Sequence, residues 1–385
     1  MRKFCKVLGL ALLLSIIIQN ISNIRVLAYM PIQSPPTQLR VDETKETPIG
    51  YDEYDKYYVD LKWNVNFESV TGYLNLYLQE VPKGYRPASG RVSKERGIPH
   101  NTDYSYRVKD LKSGTIYYMD ITAYYTYTDG DKVYSSPESA PSNKVKVLTD
   151  IDIAAYSYGA NQIKIEWDDV WDTGGRIAYK LYVSESGNFA NTQPIYIGNA
   201  QIGDGKAVTV NESTGKLEYI HTVRDAGRVY YIRIEPDITN DEIKRTKYTK
   251  TVMASSFILV KTSKVLNTDE GTVWKLEWTP VVTGLGDSNI KISYHIYRGV
   301  IGSNSLAQYM AAVDGREFFV TLPPGEVQHY FIIRAIVTRN GEDVYKGIKI
   351  ESDQIIVAEQ ETPTRPTTPE LVDLFERYDG DKIIS

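Results

Sequence analysis

The sequence predicts an all-β chain of three tandem sandwich modules, and two recurring features carry this prediction. Three segments alternate apolar and polar residues and end in a tryptophan: Trp63, Trp167 and Trp278. Alternation with period two places the apolar side chains and the tryptophan on one face of a strand. The tryptophans follow one another at intervals of about 100 to 110 residues, which is the size of one seven-stranded sandwich.

The second feature is a glycine-containing turn with a tyrosine behind it, which follows each tryptophan. The tyrosines are Tyr117, Tyr230 and Tyr330, and each opens another alternating segment. In a sandwich such a turn joins strands E and F, and the glycine permits the tight turn. The tyrosine hydroxyl then bonds to the backbone upstream, as in a tyrosine corner. Three turns, each paired with a tryptophan, indicate three copies of one module.

These residues resemble the fibronectin type III family, whose modules carry a strand-B tryptophan and a Leu-x-Pro-Gly-Thr-x-Tyr corner. The first repeat matches over residues 111–117 with Ser113 in place of the proline, whereas the second and third repeats lengthen the corner. The resemblance covers residues 34–358 and is to secreted proteins of a Gram-positive, clostridia-like type. The alternative is an immunoglobulin-type sandwich, although the usual cysteine pair of that fold is absent.

The predicted organisation has five parts. A signal peptide (1–28) precedes module one (34–149), module two (150–254) and module three (255–358), and a Pro/Thr linker with a short helix (359–385) follows them. No Pro/Gly/Ser-rich spacer separates the modules. Short junctions restrict relative motion, so we expect a semi-rigid rod.

The N-terminus predicts export to the cell surface or the extracellular space. Arg2, Lys3 and Lys6 precede an apolar run of about 12 residues, and Ala28 ends a suitable cleavage site. The run is too short for a membrane span of about 20 residues, and the alternative is an uncleaved anchor. The only cysteine, Cys5, lies in this leader. Its removal excludes disulfides, thiolate metal sites and cysteine nucleophiles from the mature chain.

Removal of the leader also takes four basic residues, so the net charge falls from −5 to about −9. A mildly acidic surface argues against nucleic-acid binding. At the other end, four apolar residues of the segment 359–385 fall on one helical face, which predicts a short helix behind the linker. They are Leu371, Leu374, Phe375 and Tyr378. This helix either docks onto module three or a partner, or it begins another domain.

The sequence offers no motif for catalysis or for a cofactor. The four histidines show no metal-ligand spacing; they are His100, His221, His295 and His329. No nucleophile elbow occurs, and Gly203-Asp204-Gly205 is interpreted as a hairpin turn because it lacks the third glycine of a nucleotide loop. We therefore predict a non-enzymatic protein without a cofactor or a catalytic residue.

Three surface segments are candidate binding sites. A basic segment after the third strand is predicted to contact a polyanion such as a teichoic acid, and the alternative is a solvated loop between strands C and E. It holds Lys83, Arg86, Arg91, Lys94 and Arg96.

The second candidate is acidic and the third is rich in tyrosine. Behind Trp167, three carboxylates suggest a calcium site and a tryptophan suggests stacking on a sugar; they are Asp168, Asp169, Asp172 and Trp171. Residues 51–58 combine tyrosine with aspartate and are predicted to bind carbohydrate or protein. The alternatives are ordinary B–C and A–B loops.

Together these observations predict a non-catalytic interaction, adhesion or spacer protein at the cell envelope or in the extracellular matrix, with a protein or polysaccharide partner. No Leu-Pro-x-Thr-Gly sorting motif is present, so attachment is expected to be non-covalent. The alternative function is an accessory carbohydrate-binding or linker region of an extracellular polysaccharide-degrading system. Fold alone does not choose between them, because such modules host many functions.

Overall fold

The structure is a computed structural model that describes residues 33–357 with ten short gaps. The gaps are residues 55, 66–70, 84–89, 101–103, 130, 198–207, 240–241, 247–248, 284–288 and 325–327. The predicted signal peptide and the predicted C-terminal helix lie outside the described residues. All regular elements of the described part are β-strands.

Module one contributes nine strands in two sheets. In one sheet, β3 pairs with β1, β2 and β6. The second sheet has the order β5-β4-β7-β9, and β8 also pairs with β7. The strands are β1 (Thr37–Val41), β2 (Ile49–Tyr51), β3 (Tyr57–Asn64), β4 (Thr71–Glu80), β5 (Val92–Pro99), β6 (Ser105–Leu111), β7 (Ile116–Asp129), β8 (Lys132–Ser135) and β9 (Val145–Leu148).

Module two repeats this arrangement with the sheets β10-β11-β17-β16 and β15-β14-β18-β20. Two short strands, β12 and β13, form a hairpin, and β19 pairs with module one. The strands are β10 (Ile153–Gly159), β11 (Gln162–Asp168), β12 (Trp171–Asp172), β13 (Gly175–Arg176), β14 (Tyr179–Ser184), β15 (Ile195–Ile197), β16 (Thr209–Val210), β17 (Lys216–Thr222), β18 (Val229–Pro236), β19 (Ile243–Lys244) and β20 (Thr251–Ser255).

Module three has the sheets β21-β22-β25 and β24-β23-β26, and the latter is extended by β27, β28 and β29 on β26. Its strands are β21 (Val260–Thr268), β22 (Gly271–Trp278), β23 (Ile290–Val300), β24 (Gln308–Val313), β25 (Glu317–Leu322), β26 (His329–Arg339), β27 (Glu342–Asp343), β28 (Ile350–Glu351) and β29 (Ile355–Val357).

The same strand order therefore recurs three times. In sandwich nomenclature, strands A, B and E form one sheet of each module and strands C′, C, F and G form the other. Ile163, Ile165 and Trp167 of β11 are fully buried while the intervening residues face outward, because side chains alternate between the two faces of a strand. The predicted fold class, an all-β chain of tandem sandwiches, is confirmed.

Each sandwich encloses a hydrophobic core with its strand-B tryptophan inside. Trp63, Trp167 and Trp278 are at most 3% exposed, and each belongs to the core cluster of its own module. Full burial of a large apolar side chain contributes about 1.5–3 kcal/mol relative to an exposed position. Trp167 and Trp278 also pack against a strand-C tyrosine, Tyr179 and Tyr294, with ring centroids 5.5 and 5.3 Å apart.

Modules one and two form tyrosine corners at the expected place. The hydroxyl of Tyr117 accepts a hydrogen bond from the backbone N–H of Lys112 at 3.1 Å. The hydroxyl of Tyr230 accepts one from the N–H of Asp225 at 3.0 Å. In both cases the donor lies five residues upstream, so the two corners share one geometry.

The prediction of Tyr330 as the corner residue of module three is wrong, because His329 occupies that inward position. His329 is 5% exposed and starts the buried series that continues with Phe331 and Ile333. Tyr330 points to the opposite face, where its ring lies against Gly299 of β23. The longer corner loop shifts the register by one residue, and such a shift exchanges the two faces of a strand.

Candidate functional site

Part of the basic segment lies on the edge strand β5, whereas the sequence suggested a loop throughout. Lys83 is exposed and Arg86 lies outside the described residues. Arg91 is committed to Asp120, whose oxygens accept hydrogen bonds from the Arg91 Nε at 2.9 and 3.0 Å, and its guanidinium lies 3.4 Å from the ring centroid of Tyr77. The bond to Asp120 raises the pKa of Arg91. Arg91 is therefore part of the module's own structure.

Lys94 and Arg96 of β5 make weaker local contacts. Lys94 donates to the carbonyl of Asp110 at 3.3 Å, and Arg96 donates to the Ser93 hydroxyl at 3.1 Å. Both side chains keep contact with solvent along an edge that pairs only with β4 among the described strands. The structure thus leaves Lys83, Lys94 and Arg96 accessible to solvent.

The acidic segment does not gather its carboxylates around one point. Asp169 is bonded to the Arg176 guanidinium at 2.9 Å and to the Trp171 indole N–H at 2.8 Å. Asp168 accepts the N–H of Asp152 at 2.8 Å, and Asp172 pairs with a lysine of module one. In the described part of the chain, no group of three or more His, Cys, Asp or Glu residues is arranged to hold a metal ion. The calcium hypothesis for this segment has no support in the structure.

The tyrosine-rich segment 51–58 lies partly on the surface. Tyr54 is 74% exposed and Tyr51 is 37% exposed, and residue 55 lies outside the described residues. The ammonium group of Lys250 from module two is 5.2 Å from the ring centroid of Tyr51. This segment therefore takes part in the contact between modules one and two.

The first junction is a packed interface in which the E–F corner of module one is inserted against module two. Gly114 has a φ of +51°, and a Cβ at this position would collide with the Cβ of Asp168. Ile116 is 1% exposed and belongs to the core cluster of module two. The N–H of Gly114 donates to the carbonyl of Asp150 at 2.9 Å. The corner glycine is thus required both by backbone conformation and by the neighbouring module.

A strand from module two extends the sheet of module one across this junction. Strand β19 pairs in parallel with β9, with Ile243 opposite Lys146 and Lys244 opposite Val147. Two ion pairs accompany the strand pairing: Lys146 with Asp172 at 2.6 Å and Lys244 with Glu43 at 3.1 Å. The free edge of β9 is consequently covered by an element of the next module.

Asp150 is a buried carboxyl group at the centre of this junction. It is 4% exposed, and its Oδ1 accepts the N–H of Ile151 at 2.9 Å. Burial raises the pKa of Asp150 to about 6; the nearby Lys250 opposes this shift, while Asp152 and Asp168 add to it. The junction therefore contains a group that changes charge in mildly acidic solution.

The second junction repeats the corner insertion with corresponding residues. Gly227 has a φ of +69° and lies against Ile258 and Val281 of module three. Val229 is 1% exposed and belongs to the core cluster of module three. The N–H of Gly227 donates to the Ser256 hydroxyl at 3.1 Å. Glycine and an aliphatic residue before the corner tyrosine perform the same task at both junctions.

Sequence reasoning missed this role of the corner, although a signal was present. Both corners read Gly-x-aliphatic-Tyr, as Gly114 to Tyr117 and as Gly227 to Tyr230. The corresponding position of module three, directly before His329, holds a polar glutamine. The core tyrosines of strand C were also missed: Tyr179 and Tyr294 accept the backbone N–H of Val170 and Val281, each three residues behind a strand-B tryptophan.

Module three adds a buried tyrosine to the second junction. The Tyr345 hydroxyl donates to the carbonyl of Thr283 at 2.9 Å. Burial raises the pKa of Tyr345 to about 12, and Tyr231 and Arg228 of module two also act on it electrostatically. This hydrogen bond ties the F–G loop of module three to the segment that contains Thr283.

Beside this loop the second junction contains an open groove of about 480 Å³. The edge strand β10, the strand β20 and the F–G loop of module three all line this groove. The lining residues are Ala155, Tyr156, Ser157, Met253, Ala254, Ser255, Phe257, Gly347, Ile348, Lys349 and Glu351. A concave site of this size at a module interface is a typical position for ligand binding.

No helix in the described residues is long and apolar enough to span a membrane. No family model matches the sequence, and no curated protein matches it.

The chain is similar to several solved structures at low sequence identity. The FN1–FN3 domains of chicken CNTN1 are 14% identical, with 85% of this chain and 98% of that chain covered and a TM-score of 0.22. A chain of a cytokine receptor complex is 9% identical, with 53% and 99% covered and a TM-score of 0.26. A second crystal form of a cytokine receptor complex gives 8% identity, 54% and 94% coverage and a TM-score of 0.28.

Proposed function

We propose that this chain is an exported, non-catalytic interaction and spacer protein that holds three sandwich modules in fixed relation at the cell envelope or in the extracellular space. The module boundaries proposed for it are 34–149, 150–254 and 255–358. The observation that carries the proposal is the insertion of a corner residue into the core of the next module at both junctions. Ile116 and Val229 are each 1% exposed there.

Buried contacts of this kind favour a spacer because they oppose bending between modules. A flexible linker would leave the facing ends of the modules hydrated, whereas here the linker residues Ile151 and Ile258 are 1% and 2% exposed. Small-angle X-ray scattering tests this directly. We expect one extended, invariant shape with a maximum dimension on the order of 100 Å, from a rise of about 3.3 Å per strand residue. A broad distribution of dimensions would contradict the spacer role.

Export is tested by N-terminal sequencing of the protein recovered from the producing cells. We expect the mature chain to begin near Tyr29, after cleavage behind Ala28. An uncleaved N-terminus would support an anchored form instead.

The partner is proposed to be a protein or a polysaccharide of the envelope or matrix, and the exposed cations of module one support contact with an anionic polymer. Retention on purified cell wall, chitin, cellulose and host matrix tests this. Neutralising Lys83, Arg86, Lys94 and Arg96 together should weaken wall binding most at low ionic strength. Arg91 is left unchanged because it stabilises module one. Wall binding that is unaffected at low salt would exclude the polyanion.

A further inference from the structure

The groove at the second junction corresponds to the place that β19 fills at the first junction. At junction one, β19 lies along Lys146 and Val147, which pair with Tyr118 and Tyr117 of strand F. The matching residues of module two are Met253 and Ala254, which pair with Tyr231 and Tyr230. Met253 and Ala254 line the groove. The groove is therefore the equivalent position in module two, and no strand of the described residues pairs there.

The F–G loop of module three faces this position but is shaped so that it does not pair. Gly347 has a φ of +86°, which turns the chain out of an extended path. The N–H of Ile348 is already bonded to the carbonyl of Tyr345 at 2.8 Å. The loop thus lines the groove without pairing to β20, and β20 has no ladder pairing on this side among the described strands, although Ser157 of β10 lies beside its Ser255.

The edge of β20 presents backbone groups to the groove. The Ser157 hydroxyl donates to the carbonyl of Ser255 at 2.6 Å, so Ser255 directs its carbonyl towards this side. Residues two apart in an antiparallel strand direct their backbone groups to the same edge. Met253 consequently presents its N–H and carbonyl to the groove, as Lys146 does towards β19 at junction one.

We propose that this groove binds an extended peptide strand of a partner protein by addition to the edge of β20. Strand addition obtains affinity from main-chain hydrogen bonds and selectivity from pockets for alternate side chains. Ala155, Met253 and Phe257 line the groove and offer a small, a flexible and an aromatic surface to the apolar side chains of the peptide that point into it. Exposed Lys349 at the rim favours a carboxylate at an outward position.

The contact at junction one supports this choice of partner. Its Ile243 is 5% exposed and packs into the core of module two, while its neighbour Lys244 lies at the surface in an ion pair with Glu43. An extended segment with alternating apolar and charged residues is thus what this type of edge already accepts in the same chain. The inference rests on the interaction role proposed above and names the partner as an extended polypeptide.

The experiment uses a displayed library of random heptapeptides, selected on the purified full chain. We expect enrichment of peptides that alternate apolar and acidic residues and bind one to one in calorimetry. N-methylation of one alternate set of peptide residues should weaken binding about tenfold or more, because it removes the bonds to β20, whereas methylation of the other set should change it by less than about twofold. Equal effects of the two sets, or no enrichment, would overturn the proposal.

Two protein variants locate the bound peptide. Lys349→Glu should weaken acidic peptides by about fivefold or more, and Lys261→Glu on the exposed strand β21 is the matched control that should bind normally. Hydrogen exchange should slow at Met253 when the peptide is added. Protection confined to another surface would overturn the proposal. Because scattering measures the spacer role independently, a failure of peptide binding is distinguishable from a failure of the proposed function.

Discussion

Replacing Asp150 by asparagine should stabilise the chain at neutral pH and leave its stability almost unchanged in acid. The side chain is buried at the first junction, where Asp152 and Asp168 oppose its ionisation and Lys250 favours it. Asparagine keeps an oxygen that can accept the N–H of Ile151, as the carboxyl Oδ1 does at 2.9 Å. The substitution therefore removes the charge with little change of shape.

The magnitude follows from the pKa of this group. Its value rises from 3.8 to about 6 in the folded chain, a difference of about two units, and one unit corresponds to about 1.4 kcal/mol. Because the folded state holds its proton more tightly than the unfolded state, stability falls as the pH rises from about 4 to about 6 and stays low above that range. Asp150→Asn should thus gain up to about 3 kcal/mol at pH 7 and nothing near pH 3.5.

Urea unfolding of the two proteins at several pH values between 3.5 and 7.5 measures this difference. Calorimetry should accompany it, because a chain of several modules need not unfold in one step. The transition that includes the first junction should shift by about 2–4 °C for each kcal/mol. Asp314→Asn, at an exposed position of module three, is the control and should show no shift. A stabilisation independent of pH, or a destabilisation at pH 7, would refute the reasoning.

Three further substitutions test individual contacts by thermal unfolding. Gly114→Ala should destabilise the chain by clearly more than the roughly 1–2 kcal/mol that a left-handed residue costs, because the new methyl group also meets Asp168. Gly215, with a φ of +69° and open space around it, is the control, and Gly215→Ala should cost only the conformational part. Equal losses in the two variants would contradict the junction contact. Tyr117→Phe leaves the N–H of Lys112 without its acceptor and should cost about 1–3 kcal/mol, while Tyr158→Phe at the surface should cost nothing. Arg91→Met should cost about 2 kcal/mol because Asp120, 3% exposed, loses a charged donor. Arg96→Met is the control and should leave stability unchanged. If Arg91→Met causes no loss of stability, Arg91 is again a candidate for ligand binding.

The fold was predictable because its signals are local. Alternation towards Trp63, Trp167 and Trp278 reports which face of each strand is buried, and that information needs no knowledge of the partner strands. The corner of module three shows where local signals end. His329 and Tyr330 are adjacent and both can occupy a half-buried position, so the choice depends on the register set by a lengthened loop.

The candidate site was predictable only in part, because its contacts join distant segments. Asp168 and Asp172 form a conspicuous acidic run, but the run does not reveal that Gly114 and Lys146 of the preceding module lie against it. The groove is still less visible in the sequence. It arises from the backbone conformation at Gly347 and from the missing counterpart of β19, and neither has a compositional signature.

The two junctions together distinguish the contribution of corner insertion from that of strand addition to the contact between modules. Junction one has both corner insertion and strand addition, whereas the strands described at junction two show corner insertion without an added strand. Val229 and Ile258 are nevertheless as deeply buried as Ile116 and Ile151. Corner insertion is therefore sufficient to close the apolar contact between modules, and strand addition is not required for it. The edge of β20 at Met253 is consequently available to another strand without loosening the spacer, which is the physical condition that peptide capture at this groove demands.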